Sequence, residues 1–214
     1  HRLWHLDLEE ALRLDPGHLS AYSLTIEPQT TFGNWAKKGK FIPAEEEFVA
    51  QQFEWLQEQC DKAGYIQYEI SNFSRPDQAA IHNSNYWKGE KYLGLGPSAH
   101  SFNTLRRQWN VANNAKYLES IIHNKVPQSI EILSLNNRFN EYLMTSIRTT
   151  WGTDLTKIDT DFGPDFKTHI LRKLTEYEEK DWLFLEKDHL FLTKNGKLFA
   201  DRIAADLFIV DDEN

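Results

Sequence analysis

The sequence predicts an α/β chain: βα units of a parallel sheet come first, and a small helical domain closed by a β-hairpin follows. Three observations carry this reading. HLSAYSLTIE (18–27) and YIQYEIS (65–71) look like strands, with a strongly patterned helix between them. That is the spacing of a βα unit. After Leu135 three helical stretches precede two short strands, the order of a winged helix. Between the two regions lies 65–102, a stretch rich in Tyr, His and amides where an ordinary connection would carry Gly, Ser and Asp.

Taken in order, Leu3, Leu6, Leu8, Leu12 and Leu14 give a helical stripe that stops at Asp15-Pro16-Gly17. The strand at 18–27 is apolar on both faces in places, as a buried parallel strand would be. Residues 28–40, with Gly33 and Gly39, read as a loop. Pro43 to Ala63 is a helix with Pro at its start, acids in its first turn and Gly64 as its cap. The next strand is Tyr65 to Ser71. Residues 82–87 read as loop and Gly96-Pro97-Ser98 as the end of a strand. A short helix spans Asn113–Asn124, with a break at Lys125-Val126-Pro127. Helices follow at Asn137–Thr150, Leu155–Phe162 and Pro164–Lys180. Strands at Trp182–Glu186 and Leu190–Thr193 and a helix at Lys194–Phe208 complete the pattern. The acidic tail Asp211-Asp212-Glu213 reads as frayed.

Composition excludes several classes. The chain has 214 residues, net charge −8 and a single cysteine. An acidic chain lacks the basic face that nucleic-acid binding requires. The third helix of the winged-helix pattern mixes acids with its bases, so the motif does not read as a DNA reader. One cysteine gives no disulfide framework, which fits the cytoplasm. No apolar run is long enough to span a bilayer. The chain opens without Met and in mid-helix pattern, so it reads as a fragment.

Loops at the C-terminal ends of parallel strands are where such folds keep ligands. The candidates there are Thr25 and Glu27, Glu69 and Asn72, and Gly94 and Gly96. Glu69 and Asn72 either bind a polar ligand or order the following loop. Gly94-Leu95-Gly96-Pro97-Ser98-Ala99 fits a dinucleotide-loop pattern, but the acid at the right distance, Glu119, falls in a helix rather than at a strand end. The glycines then mean close approach to the backbone, by a ligand or by a neighbouring element. His82-Asn83-Ser84-Asn85-Tyr86-Trp87 offers a metal-ligating imidazole beside two flat faces and two amides, with His100 nearby. The plainer reading is a capped loop over the sheet end. No Ser sits in a Gly-x-Ser-x-Gly elbow. Cys60 lies on the apolar face of its helix and reads as core.

These motifs, HLSAYSLTIEPQT, YEISNFS, HNSNYW, YLGLGPSAHSF, RRQWN and LTKNGKLFADRI, resemble those of HemW-type proteins. These are radical S-adenosylmethionine (SAM) proteins similar to oxygen-independent coproporphyrinogen III oxidase and regarded as heme chaperones. The resemblance runs the length of the chain. It implies the C-terminal portion of a partial (β/α)6 radical SAM barrel over residues 1–128, followed by a small winged-helix-like α+β domain over 129–214. It implies SAM and a [4Fe–4S] cluster in the parent protein, with the cluster's CxxxCxxC motif N-terminal to His1. Cys60 alone cannot ligate such a cluster, so this chain is not expected to be active by itself. The resemblance places Thr25, Glu27, Gly94, Gly96 and His100 at the barrel mouth. It assigns His82, Asn83, Tyr86 and Trp87 to the HNxxYW motif implicated in heme handling, His82 being the candidate iron ligand. The implied partners are heme and acceptor hemoproteins, with peripheral membrane association allowed and no nucleic acid. The alternative is a coproporphyrinogen III dehydrogenase that decarboxylates propionates. A sheet cut at the 18–27 strand would expose an edge open to self-association.

Overall fold

A computed structural model describes residues 1–210, which form two compact units, His1–Ala80 and a second from Ile81 onward. The acidic tail at 211–213 lies outside the described residues.

The first unit begins with α1 (Arg2–Arg13), which packs on α3 (Glu46–Lys62). Between them come β1 (His18–Ser20) and α2 (Thr31–Lys37), and after α3 come β2 (Ile66–Glu69) and β3 (Asn72–Ser74). The helix stripes read from sequence supply the core: Leu8 from α1, and Leu56 and Cys60 from α3, close on Tyr65 and Phe73. Gly64 ends α3 at φ +78°, a conformation that costs glycine no Cβ clash.

The sheet differs from the expected one. Its order is β1-β3-β2, and both pairs are antiparallel. β1 and β2 therefore run in the same direction, as a βα unit demands, but β3 lies between them. The return is tight because Glu69 and Asn72 are themselves paired across a register shift. The 18–27 strand is also shorter than its apolar pattern suggests. It stops at Ser20, where the Ser20 hydroxyl donates to Asn72 Oδ1 at 2.6 Å, and Tyr22 and Leu24 beyond it are exposed. The 28–40 segment, expected as loop, contains α2. Thr30 caps it, its Oγ1 accepting from Gly33 N–H at 3.1 Å.

The second unit starts with α4 (Ile81–Trp87). β4 (His100–Phe102), β5 (Arg106–Asn110) and β6 (Gln128–Ile132) form an antiparallel sheet in that order, with α5 (Asn114–Ile122) connecting the last two. β5 and β6 went unseen in the sequence, since RRQWN and QSIEI lack a long apolar alternation. α6 (Leu135–Ser146), β7 (Thr153–Asp154), α7 (Leu155–Asp161), α8 (Pro164–Glu179), β8 (Leu183–Glu186), β9 (His189–Leu192) and α9 (Ala200–Leu207) complete the chain. The expected last helix is split: Gly196–Phe199 is a 3₁₀ turn before α9. β7 pairs with β9, making the terminal hairpin a three-stranded sheet of order β7-β9-β8. Phe139, Leu143, Ile158, Ile170, Leu190 and Ile203 are fully buried among these elements.

Candidate functional site

HNSNYW is helical, not loop, because it forms α4. Seven residues are too few to hold a helix by propensity alone. Packing of α4 on α6 supplies the support, and Gly89 at φ +70° turns the chain out. The helix fixes the geometry of the motif. His82 and Tyr86 are four residues apart and share one face, about 6 Å along the axis. Tyr86 and Trp87 meet edge to face with ring centroids 5.0 Å apart. His82 and Tyr86 are exposed, and Asn83 and Trp87 half-buried. The Arg148 guanidinium lies 5.3 Å from the Trp87 ring centroid, a cation–π contact that ties α4 to the residue just past α6.

Beside α4 lies a cavity of about 680 Å³, walled by Tyr86, Trp87, Tyr92 and Phe102 on one part and by residues of α6 and α7 on another. Tyr92 and Phe102 pair at 6.0 Å, and Tyr142 stacks on Phe162 at 6.0 Å. Burial pushes the Tyr142 phenol up to about 12, so it stays neutral and accepts from Asp154 N–H at 3.1 Å. Glu141 reaches Arg107 in an ion pair. Burial nevertheless raises its carboxyl above the ordinary value, and the arginine only partly offsets this. None of this cavity beyond Tyr86 and Trp87 was foreseen. Its cations come from just past α4, from β5, from α6 and just past it, and from α7, and no local spacing connects them.

The other candidates fall elsewhere. Glu69 and Asn72 are buried and bond to each other, Asn72 Nδ2 donating to Glu69 Oε2 at 2.5 Å. Glu69 also accepts from Ser71 N–H at 3.0 Å. This is the loop-ordering arrangement. Thr25 and Glu27 are exposed, and the Glu27 carbonyl accepts from Thr30 at the start of α2.

Gly94 and Gly96 precede β4 rather than lying on a strand. A Cβ on Gly94 would stand 2.1 Å from the His100 carbonyl oxygen. The approaching neighbour is thus the protein's own backbone. Gly94 N–H donates to Ser101 Oγ at 2.9 Å, and Gly96 O accepts from Asn110 Nδ2 at 2.9 Å. His100 is exposed and stacks on Trp109 across the β4–β5 ladder at 6.1 Å. Cys60 is buried, with its thiol pushed up to about 11 by desolvation.

Residues 133–199 match the HemN C-terminal domain family. The heme chaperone HemW of Synechocystis sp. is 31% identical over 99% of this chain and 56% of its own length. That of Bacillus subtilis is 29% identical over 94% of this chain and 54% of its own. The chain thus spans about half the length of the curated relatives it matches. Among solved structures, Escherichia coli coproporphyrinogen III oxidase (HemN), described as a radical SAM enzyme, superposes with a TM-score of 0.73. The match has 15% identity and covers 96% of this chain and 51% of that one. In sequence the chain is HemW-like over nearly its whole length, in fold it is HemN-like, and residues 133–199 match the HemN C-terminal domain.

Proposed function

We propose that these residues are the heme-handling part of a heme chaperone that delivers heme to acceptor hemoproteins. The observation that carries this is α4. It sets His82 and Tyr86 on one face and places Tyr86 and Trp87 in the wall of an aromatic cavity. An imidazole one helical turn from a flat apolar wall suits a planar iron macrocycle, with the ring stacked and the iron ligated.

The residues in this chain do not fit an iron–sulfur cluster. Cys60 is its one cysteine, held in the α1–α3 core with a raised pKa, whereas cluster ligands are exposed thiolates in sets of three or four. Among the described residues no group of three His, Cys, Asp or Glu is placed to hold a metal ion. No step through a cluster or SAM is derived for these residues. Both are proposed for the parent protein on the strength of the relatives alone. No described helix is long and apolar enough to cross a membrane.

Heme titration of the full-length protein, followed at the Soret band, tests the reading. His82→Ala should weaken binding and change the spectrum. Trp87→Ala should cost at most about tenfold, since a stacking contact contributes about 0.5–1.5 kcal/mol beyond burial. Unchanged affinity and spectrum in His82→Ala would remove His82 from the ligand role. Incubation with coproporphyrinogen III should give no decarboxylation; product would move the protein to the oxidase class.

A further inference from the structure

The cavity beside α4 carries charge that the stacking role leaves unused. Five cations line it: Lys88, Arg107, Arg138, Arg148 and Lys157. Three anions line it as well, Glu141, Asp161 and Asp201, and each is paired with one of those cations. Glu141 holds Arg107, Asp201 holds Arg148, and Asp161 holds Lys157. Lys88 and Arg138 are left with no carboxylate partner among the described residues.

Both have unusual surroundings. The Lys88 ammonium lies 5.4 Å from the Trp151 ring centroid. Arg138 Nε is buried and finds no hydrogen-bond acceptor. A buried guanidinium N–H without an acceptor is rare enough to need a reason. Local surplus of positive charge is also unexpected in a chain of net charge −8. A cavity with aromatic walls and two uncompensated cations is built for a flat molecule with two negative groups.

We infer that this cavity binds a planar macrocyclic dicarboxylate. Its ring lies against Tyr86, Trp87 and Phe102, and its two carboxylates are held by Arg138 of α6 and by Lys88 just past α4. The inference rests on the heme reading above, in which these carboxylates are the two propionates of heme. It assigns Arg138 and Lys88 to specificity: they select carboxylate-bearing rings, while the aromatic wall serves any flat ring. The cavity volume of about 680 Å³ lies within the range of small-molecule sites, roughly 300–1,000 Å³.

The test titrates hemin and hemin dimethyl ester, whose carboxylates are masked, into the full-length protein and its variants. Wild type should prefer hemin by about tenfold or more, the scale of a charge-assisted hydrogen bond. Arg138→Met should lose about that factor for hemin and leave the ester unchanged. Arg138→Lys should restore part of the loss. Lys88→Met, at an exposed position where folding is not at risk, should show the same selective loss. The ester titration is the internal control for folding. Equal affinity of wild type for the two ligands would overturn the inference, as would equal loss of both in Arg138→Met and Lys88→Met. If His82→Ala still weakens hemin in that case, the heme reading survives without the carboxylate clamp. If His82→Ala, Arg138→Met and Lys88→Met all leave hemin binding unchanged, both readings fall.

Discussion

Glu69 and Asn72 are a buried, mutually bonded polar pair at a strand end. Side-chain chemistry allowed ligand binding or loop ordering. Burial of both, with Asn72 donating to Glu69 and accepting from Ser20, fits a role in ordering the turn between β2 and β3. Removing the amide takes a donor from a buried carboxylate, and such a loss costs about 1–3 kcal/mol. Asn72→Ala should therefore lower the unfolding free energy read from urea denaturation by about that amount and leave heme affinity of the full-length protein unaltered. A stable variant with weakened heme binding would return the pair to the ligand role. Cys60 follows the same logic: its place on the α3 stripe already marked it as core, and burial bears that out.

Among the elements, α4 and the approach to β4 were least legible. IHNSNYW has no apolar stripe, so nothing local announces a helix; its contact with α6 is what makes one. The Gly94–Gly96 segment announced close approach but not the neighbour. That neighbour is the His100 backbone, 2.1 Å from where a Cβ would stand. Relief requires moving a strand, not a flexible side chain. Gly94→Ala should therefore destabilise by about 1–3 kcal/mol, the usual cost of overpacking. The same change should disturb the Tyr92–Phe102 bridge, which stands in the cavity wall. Thermal unfolding combined with Soret titration checks both effects. A variant as stable as wild type would show that the segment yields easily.

At the scale of the whole molecule, each unit carries a histidine whose charging opposes folding. Burial lowers the His18 pKa, and its Nε2 lies 2.8 Å from the Tyr68 hydroxyl. Burial likewise lowers that of His169, whose Nε2 donates to the Leu207 carbonyl at 3.2 Å. A depressed folded value means stability is present above the ordinary histidine pKa of about 6.5 and is lost as pH falls through the folded value. Glu141 acts in the opposite sense. Its raised carboxyl contributes stability that is full below its ordinary value and is lost as pH rises through the folded one. The prediction is thus a difference. Between pH 7 and 5 the melting temperature should fall less steeply in His18→Gln and His169→Gln than in wild type. Parallel slopes would show that these imidazoles are not desolvated in the folded chain.

The sequence by itself determined the α/β class, the helix stripes of α1 and α3, the terminal helices and hairpin, and the run of side chains in HNSNYW. Each of these is a local matter: a 3.6-residue period, a Pro start, a Gly stop, a set of side chains within six residues. Tertiary structure alone decided the rest. It inserted β3 between β1 and β2, because strand order depends on a tight return that no periodicity records. It made α4 helical through α6. It also gathered Lys88, Arg107, Arg138, Arg148 and Lys157 around one cavity. In sequence these cations are spread over some seventy positions, and only the packing of α4, β5, α6 and α7 converts them into a single field.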